Sequence, residues 1–193
     1  MNDRKIFLVR HGETTWNTRK IWQGQIGGGL NELGRKQAES AASKLLGRKI
    51  SAIYSSDLKR ALDTARIISE KTGIRIQEDP EFRERHLGLL SGMEESEILK
   101  RYPDLILEDG FLGSNDIGNA EPWKDFCNRV ASRFMKVSSE SDNDICIVTH
   151  GGVIYAIFRY IDTNFHRTVV PNGSISVVKR GKDGTCSIEG IDI

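Results

Sequence analysis

Two histidines stand just beyond short apolar runs: His11 follows residues 6–9 and Arg10, and His150 follows residues 145–148 and Thr149. Glycine comes next in both cases, Gly12 in the first and Gly151-Gly152 in the second, and glycine lets a backbone approach a ligand closely. A single histidine at a strand end is ordinarily a satisfied structural residue. Two delivered in the same way point to chemistry, because imidazole gains and loses a proton near neutral pH. Arginines accompany them: Arg10 adjoins His11, and Arg60 falls in the first turn of a helical pattern opening at Leu58, where the helix end also favours an anion. Guanidinium groups hold phosphate by paired hydrogen bonds that an ammonium does not reproduce. Two arginines and two histidines in one pocket attract a dianion and repel a divalent cation, which weighs against a metal site and implies no cofactor.

Other phosphate chemistries fit less well. There is no Gly-x-x-x-x-Gly-Lys-Ser/Thr loop, and Gly24, Gly27, Gly28 and Gly29 do not follow a strand pattern as a nucleotide loop would. Asp142 and Asp144 precede their apolar run instead of ending it, and read as a turn.

The elements that must position these residues alternate in type. Residues 6–9, 52–54, 74–77 and 145–148 read as strands, the first and last as buried parallel ones. Between them, Ala38, Ala41, Ala42, Leu45 and Leu46 mark a helix from Asn31 to a stop at Gly47, and Leu58, Ala61, Leu62, Ala65 and Ile68 a second one stopping at Gly73. Pro122 opens a third, with Trp123, Phe126, Cys127, Val130 and Phe134 inward. Residues 153–158 are nearly all apolar and predict a helix covered on most sides. Two last strands, near 175–179 and 187–191, flank hairpin residues Gly181, Asp183 and Gly184. The pattern predicts an α/β three-layer sandwich, a mostly parallel sheet with helices on both faces and an antiparallel C-terminal part. Ligands in such folds gather at the carboxyl ends of the strands, where both histidines fall.

Length and composition bound the rest. The chain has 193 residues, 38% hydrophobic and 28% charged, with 28 basic against 27 acidic residues and a formal net charge of +1. One domain, 1–193, is the expectation, with a lid-like insertion at about 89–120. A balanced charge offers no global field for nucleic acid or an anionic membrane. The first apolar stretch is too short for a signal peptide or membrane span, and the three cysteines, Cys127, Cys146 and Cys186, form no Cys-x-x-Cys pair. They read as core or neutral residues in a reducing compartment, so the cytoplasm is the expected location.

The ordered motifs resemble those of the histidine phosphatase superfamily, in its phosphoglycerate-mutase-like family and phosphatase branch. They are Arg10-His11-Gly12-Glu13-Thr14 with Trp16 and Asn17, Ser55-Ser56 through Arg60-Ala61, Glu84 to Gly88, and Thr149-His150-Gly151-Gly152. The resemblance implies that His11 is the nucleophile and Glu84 the proton donor to the leaving oxygen. It further implies that His150, Arg10 and Arg60 bind the phosphate, with Asn17 and the Gln23-Gly24 backbone as helpers and Gly151 beside them. The implied activity is that of a histidine acid phosphatase-type phosphoric monoester hydrolase. It would act without metal on a small phosphorylated metabolite through a phosphohistidine, the small phosphate ester being its partner. Glu13 competes with Glu84 as the acid; His86 and His166 read as packing or surface residues; Trp22 and Trp123 read as core or loop-anchoring aromatics, with the pocket mouth as the alternative place for Trp22. Two departures stand out: Gly27-Gly28-Gly29 where relatives carry an acidic residue and a proline, and Pro122 after Glu121 where they often carry serine. A cofactor-dependent phosphoglycerate mutase uses the same centre, and a non-catalytic phospho-ligand binding module shares the pocket. The sequence carries no reading of oligomeric state.

Overall fold

Ile6, Phe7, Leu8 and Val9 are all buried. Because a strand turns successive side chains to opposite faces, a strand buried at four consecutive positions has to be covered on both sides. In the computed structural model it is. Residues 3–103, 118–166 and 168–193 are described, together with the strand pairs 107–108 and 111–112. The first half runs β1 (Arg4–Arg10), α1 (Thr15–Thr18), α2 (Glu32–Leu45), β2 (Ile50–Ser55), α3 (Lys59–Thr72) and β3 (Ile76–Glu78). The second runs α4 (Glu95–Arg101), β4 (Leu107–Glu108), β5 (Phe111–Leu112), α5 (Trp123–Glu140), β6 (Asp144–Thr149), α6 (Gly151–Ile161), β7 (Ile175–Arg180) and β8 (Cys186–Gly190).

Ile6 and Leu8 pack with Val130 and Phe134 of α5 and Ile154 and Phe158 of α6. Phe7 and Val9 pack on the other face with Ala41 and Leu45 of α2 and Ala61 and Ile68 of α3. β6 repeats the split, with Ile145 and Ile147 on the first face and Cys146 and Val148 on the second. The sheet order is β3-β2-β6-β1-β7-β8. The first four strands are parallel to their neighbours, and β7 and β8 are antiparallel. This is the expected α/β sandwich.

Element ends follow local chemistry. Asn31 caps α2 by accepting from the Gly34 N–H at 2.8 Å; the helix closes at Leu45, with Gly47 at positive φ just past it. Gly73 ends α3 in the left-handed conformation that glycine adopts without steric cost. α6 is buried at every position from Gly152 to Phe158. The short elements α1, α4, β4 and β5 escape prediction because none is long enough to display a period.

Of residues 89–120, expected from the sequence as a lid-like insertion, 104–106, 109–110 and 113–117 lie outside the described residues, Gly110, Gly113 and Ser114 with them. The described part has a small core: Leu90 and Ile98 of α4 gather Trp22, Leu87, Met93 and Tyr102. Backbone hydrogen bonds clasp 20–22 to 92–95: Trp22 N–H to the Met93 carbonyl, Gly92 N–H to that of Trp22, and Glu95 N–H to that of Lys20. Among the described residues no helix is long and apolar enough to cross a membrane.

Candidate active site

Strand register brings the two histidines together. β1 and β6 pair with Arg10 opposite Thr149, so the next residue of each, His11 and His150, leaves the sheet at the same edge. The His11 N–H donates to the Thr149 carbonyl at 2.9 Å, and the two rings meet edge to face with centroids 5.2 Å apart. Both side chains are buried. Gly12 allows this turn to lie on the start of α2, since a Cβ there would sit 2.2 Å from the Gly34 carbonyl oxygen.

The imidazole of His11 is held in one tautomer. Its Nδ1 lies 2.8 Å from the Gly12 carbonyl, which accepts only, so Nδ1 carries the proton. Arg60 Nε–H points at Nε2 from 3.2 Å, which marks Nε2 as the lone-pair nitrogen. Burial first, then the charges of Arg60 and Arg10, push the His11 pKa well below 6.5 against the Gly12 hydrogen bond. At neutral pH the ring is uncharged, with its basic nitrogen toward the guanidinium.

Arg60 is bracketed by the loop before α2. Its Nη1 donates to the Ile26 carbonyl at 3.0 Å and its Nη2 to that of Gly24 at 2.7 Å, so the loop running into Gly27-Gly28-Gly29 positions the arginine. Thr64 Oγ1 donates to the Arg60 carbonyl and accepts from Gly12 N–H at 3.1 Å, tying α3 to the His11 turn. Burial brings the Arg60 pKa down to about 10, opposed by Glu84, and the group stays cationic at neutral pH. Arg10 donates from Nη1 to the Val170 carbonyl, and no described residue reaches its buried Nε.

His150 is fully buried beneath the cavity. Its Nε2 is 2.8 Å from Ser56 Oγ, which already accepts from Leu58 N–H at 3.3 Å. The Ser56 hydroxyl keeps a second lone pair, so it holds Nε2 as donor or as acceptor according to the tautomer. No described residue satisfies the His150 Nδ1. A buried donor left unpaired costs about 1–3 kcal/mol, so Arg10 Nε calls for an acceptor. Burial, then Arg60, His11 and Arg10, hold the His150 pKa well below 6.5.

Glu84 reaches the end of α6. One carboxylate oxygen accepts from Gly152 N–H at 3.1 Å and the other from Arg85 N–H at 2.9 Å. A Cβ at 152 would lie 2.3 Å from a Glu84 oxygen, so glycine there leaves the carboxylate its place. Apart from His150, every predicted site residue lines one cavity of about 410 Å³: Arg10, His11, Asn17, Gln23, Gly24, Arg60, Glu84 and Gly151. Thr14 fixes two of these, donating to Asn17 Oδ1 and accepting from Gln23 Nε2 at 3.0 Å. The Gly24 backbone, expected as a phosphate-binding helper, gives its carbonyl to Arg60.

Other expectations fall into place. Glu13 accepts from Asn31 Nδ2 at 2.9 Å and does not line the cavity. His86 and His166 are exposed, and Trp22 takes its alternative place, lining the cavity. Beside Pro122, Glu121 supplies the hydrogen bonds of the turn. Its carboxylate takes both Arg129 Nε and Nη2 at 2.9 Å, and its carbonyl takes Arg85 Nε. Cys127 precedes Arg133 by six residues, the offset of a cysteine-nucleophile phosphatase. Both lie inside α5, however; burial pushes the thiol up to about 11, and Arg133 Nε is committed to Asp79. No three His, Cys, Asp or Glu side chains gather as a metal-ligand group among the described residues. Ser56, Arg85 and Glu95 are the participants the sequence did not single out for a role; a short polar motif residue and two charges among many carry no periodic signal.

The profile of the Histidine phosphatase superfamily (branch 1) matches residues 6–191. The chain belongs to this superfamily. A metal-independent phosphoserine phosphatase of Arabidopsis thaliana is 37% identical over 180 residues, 90% of this chain and 75% of the relative. A phosphoglycerate mutase-like protein 4 of the same plant is 38% identical over 163 residues, 80% and 70% of the two chains. Among solved structures, a mycobacterial glucosyl-3-phosphoglycerate phosphatase complexed with VO3 superposes with a TM-score of 0.84 at 29% identity, covering 98% of each chain. This histidine phosphatase is a phosphoric monoester hydrolase with the superfamily's α/β fold.

Proposed function

We propose that the protein is a one-domain cytoplasmic enzyme that hydrolyses a small phosphate monoester in two steps through phosphohistidine at His11. The observation that carries this reading is the His11 ring: neutral, Nδ1 tied to Gly12, and the lone pair on Nε2 at the cavity floor, where it accepts from Arg60 Nε–H. In the first step Nε2 attacks phosphorus and the bond from phosphorus to the ester oxygen breaks. Glu84 passes its proton to that oxygen, so no bare alkoxide leaves. In the second step Glu84 takes a proton from water, water oxygen bonds to phosphorus, the bond to Nε2 breaks, and inorganic phosphate departs. Arg10, Arg60 and His150 stabilise the equatorial oxygens, with Asn17, Gln23 and the Gly151 backbone around them. These fixed cations and donors supply the charge that a divalent ion supplies in other phosphoryl-transfer sites.

Water, and not a second substrate oxygen, is the acceptor on this reading. A mutase must seal its intermediate and hold a further carboxylate with extra cations. The two basic residues of α4, Lys100 and Arg101, are exposed and do not line the cavity. The deciding experiment is rapid quench with a ³²P-labelled monoester after exhaustive EDTA treatment. The trapped protein should carry acid-labile, base-stable label on His11 and release free phosphate without added metal. An acid-stable adduct, restoration of lost activity by magnesium, or formation of 2-phosphoglycerate from 3-phosphoglycerate about tenfold faster than phosphate release would each overturn a part of this reading.

A further inference from the structure

We propose that Glu95 and Trp22 form an ammonium subsite, so that the monoester this phosphatase takes carries a protonated amine on its alcohol part. The proposal rests on the phosphomonoesterase reading and adds the substrate class. The cavity is cationic at its floor, where Arg10 and Arg60 flank His11, but its wall carries a carboxylate, Glu95, in the first turn of α4. This carboxylate is partly buried. Its one hydrogen bond comes from Trp22 Nε1–H at a long 3.4 Å, and no lysine, arginine or histidine among the described residues pairs with it. The acids beside it differ: Glu94 is bridged by Arg19 at 3.0 Å and Glu97 by Arg101 at 4.0 Å, both out at the surface. The acid that faces the cavity is the one left for a ligand.

Trp22 supplies the second half of the subsite. Its ring lines the same cavity, and the backbone clasp between 20–22 and 92–95 fixes it beside Glu95. The carboxylate meets the indole at its Nε1–H edge, so the ring holds Glu95 in place and the charge of Glu95 draws the cationic nitrogen. Leu87 and Leu99 line the wall nearby, and apolar neighbours lower the local dielectric and strengthen the pair. A second phosphate or a lone carboxylate at this wall would instead be repelled by Glu95. The amine has two chemical sources, the phosphate of an amino alcohol and an O-phosphorylated amino acid; the latter also presents a carboxylate, and Arg85 lines the cavity too.

The test compares O-phosphoethanolamine with propyl phosphate, which have the same number of heavy atoms, and adds O-phosphoserine as a third arm. Wild-type kcat/KM should favour both amines over propyl phosphate by about tenfold or more. Glu95→Gln should shrink that ratio to within about twofold, and Glu95→Lys should invert it. O-phosphoserine above O-phosphoethanolamine identifies the amino-acid source, and the reverse order identifies the amino alcohol. Equal kcat/KM for O-phosphoethanolamine and propyl phosphate, or a preference that survives Glu95→Gln, overturns the subsite. Equilibrium binding of 3-aminopropylphosphonate and butylphosphonate, neither of which can be hydrolysed, separates the two readings. An amine preference in binding without any phosphate release keeps the subsite and overturns the hydrolase. Phosphate release from all three esters with no preference does the opposite.

Discussion

The floor and the wall of the cavity are built by different means. The floor hangs from the sheet: His11 and His150 are placed by the register of β1 on β6, and Arg60 is tied by three nitrogens to His11, Ile26 and Gly24. The wall comes from short elements with a small core of their own around Leu90 and Ile98, and its charged group, Glu95, has a single long hydrogen bond. Where every atom is fixed by backbone, a phosphate geometry can be preorganised; where side chains stand on a separate short helix, the chemistry stays and the selectivity is free to differ. Changes at the floor should therefore remove turnover for all substrates, and changes at the wall should re-rank substrates.

The largest break is His11→Ala. Steady-state phosphate release should fall by about 10⁴-fold or more for every ester, because water does not occupy the position of Nε2 as a nucleophile. A uniform loss of less than tenfold would move the nucleophile elsewhere. Glu84→Gln should cost about 10²-fold with alkyl phosphates and clearly less with p-nitrophenyl phosphate, whose leaving group needs little protonation. Equal losses on both would mean that Glu84 acts through the α6 N–H groups and not as an acid.

A smaller effect belongs to Ser56, a positioning residue that acts through His150. Ser56→Ala should lower kcat about tenfold, one hydrogen bond's worth, and Ser56→Thr should restore it. Nitrogen-15 NMR of the ring should show His150 in one tautomer in the wild type and no longer confined to it in the alanine variant; an unchanged tautomer would leave Ser56 a packing residue only.

The gentlest probe is pH. With both histidine pKa values held well below 6.5, kcat/KM should show no acid limb near 6.5, and its fall should come at lower pH. Stability follows the same sign. Below about 6.5 the unfolded chain binds protons that the folded imidazoles refuse. The histidine contribution is thus complete above pH 6.5 and is lost as pH falls toward the folded values. A melting temperature that rises between pH 6.5 and pH 5 would contradict the neutral floor.

Much of this was legible in the chain. The unbroken apolar run of residues 6–9, the helical spacing of Ala38, Ala41, Ala42 and Leu45, and the glycines after His11 and His150 state the layers and the edge where a ligand belongs. These features are local: a short apolar run, a period of 3.6 and a residue type at a strand end are enough to read them. Which nitrogen of His11 is basic, that His150 lies beneath the cavity on Ser56, that Gly24 serves Arg60, and that Glu95 rather than a neighbouring acid faces the cavity were decided only in three dimensions. Each depends on a partner far along the chain, 49 residues for Arg60 with His11 and 94 for His150 with Ser56. Register, burial and the tautomer they impose come from packing between elements, and no single stretch of sequence contains both sides of that contact.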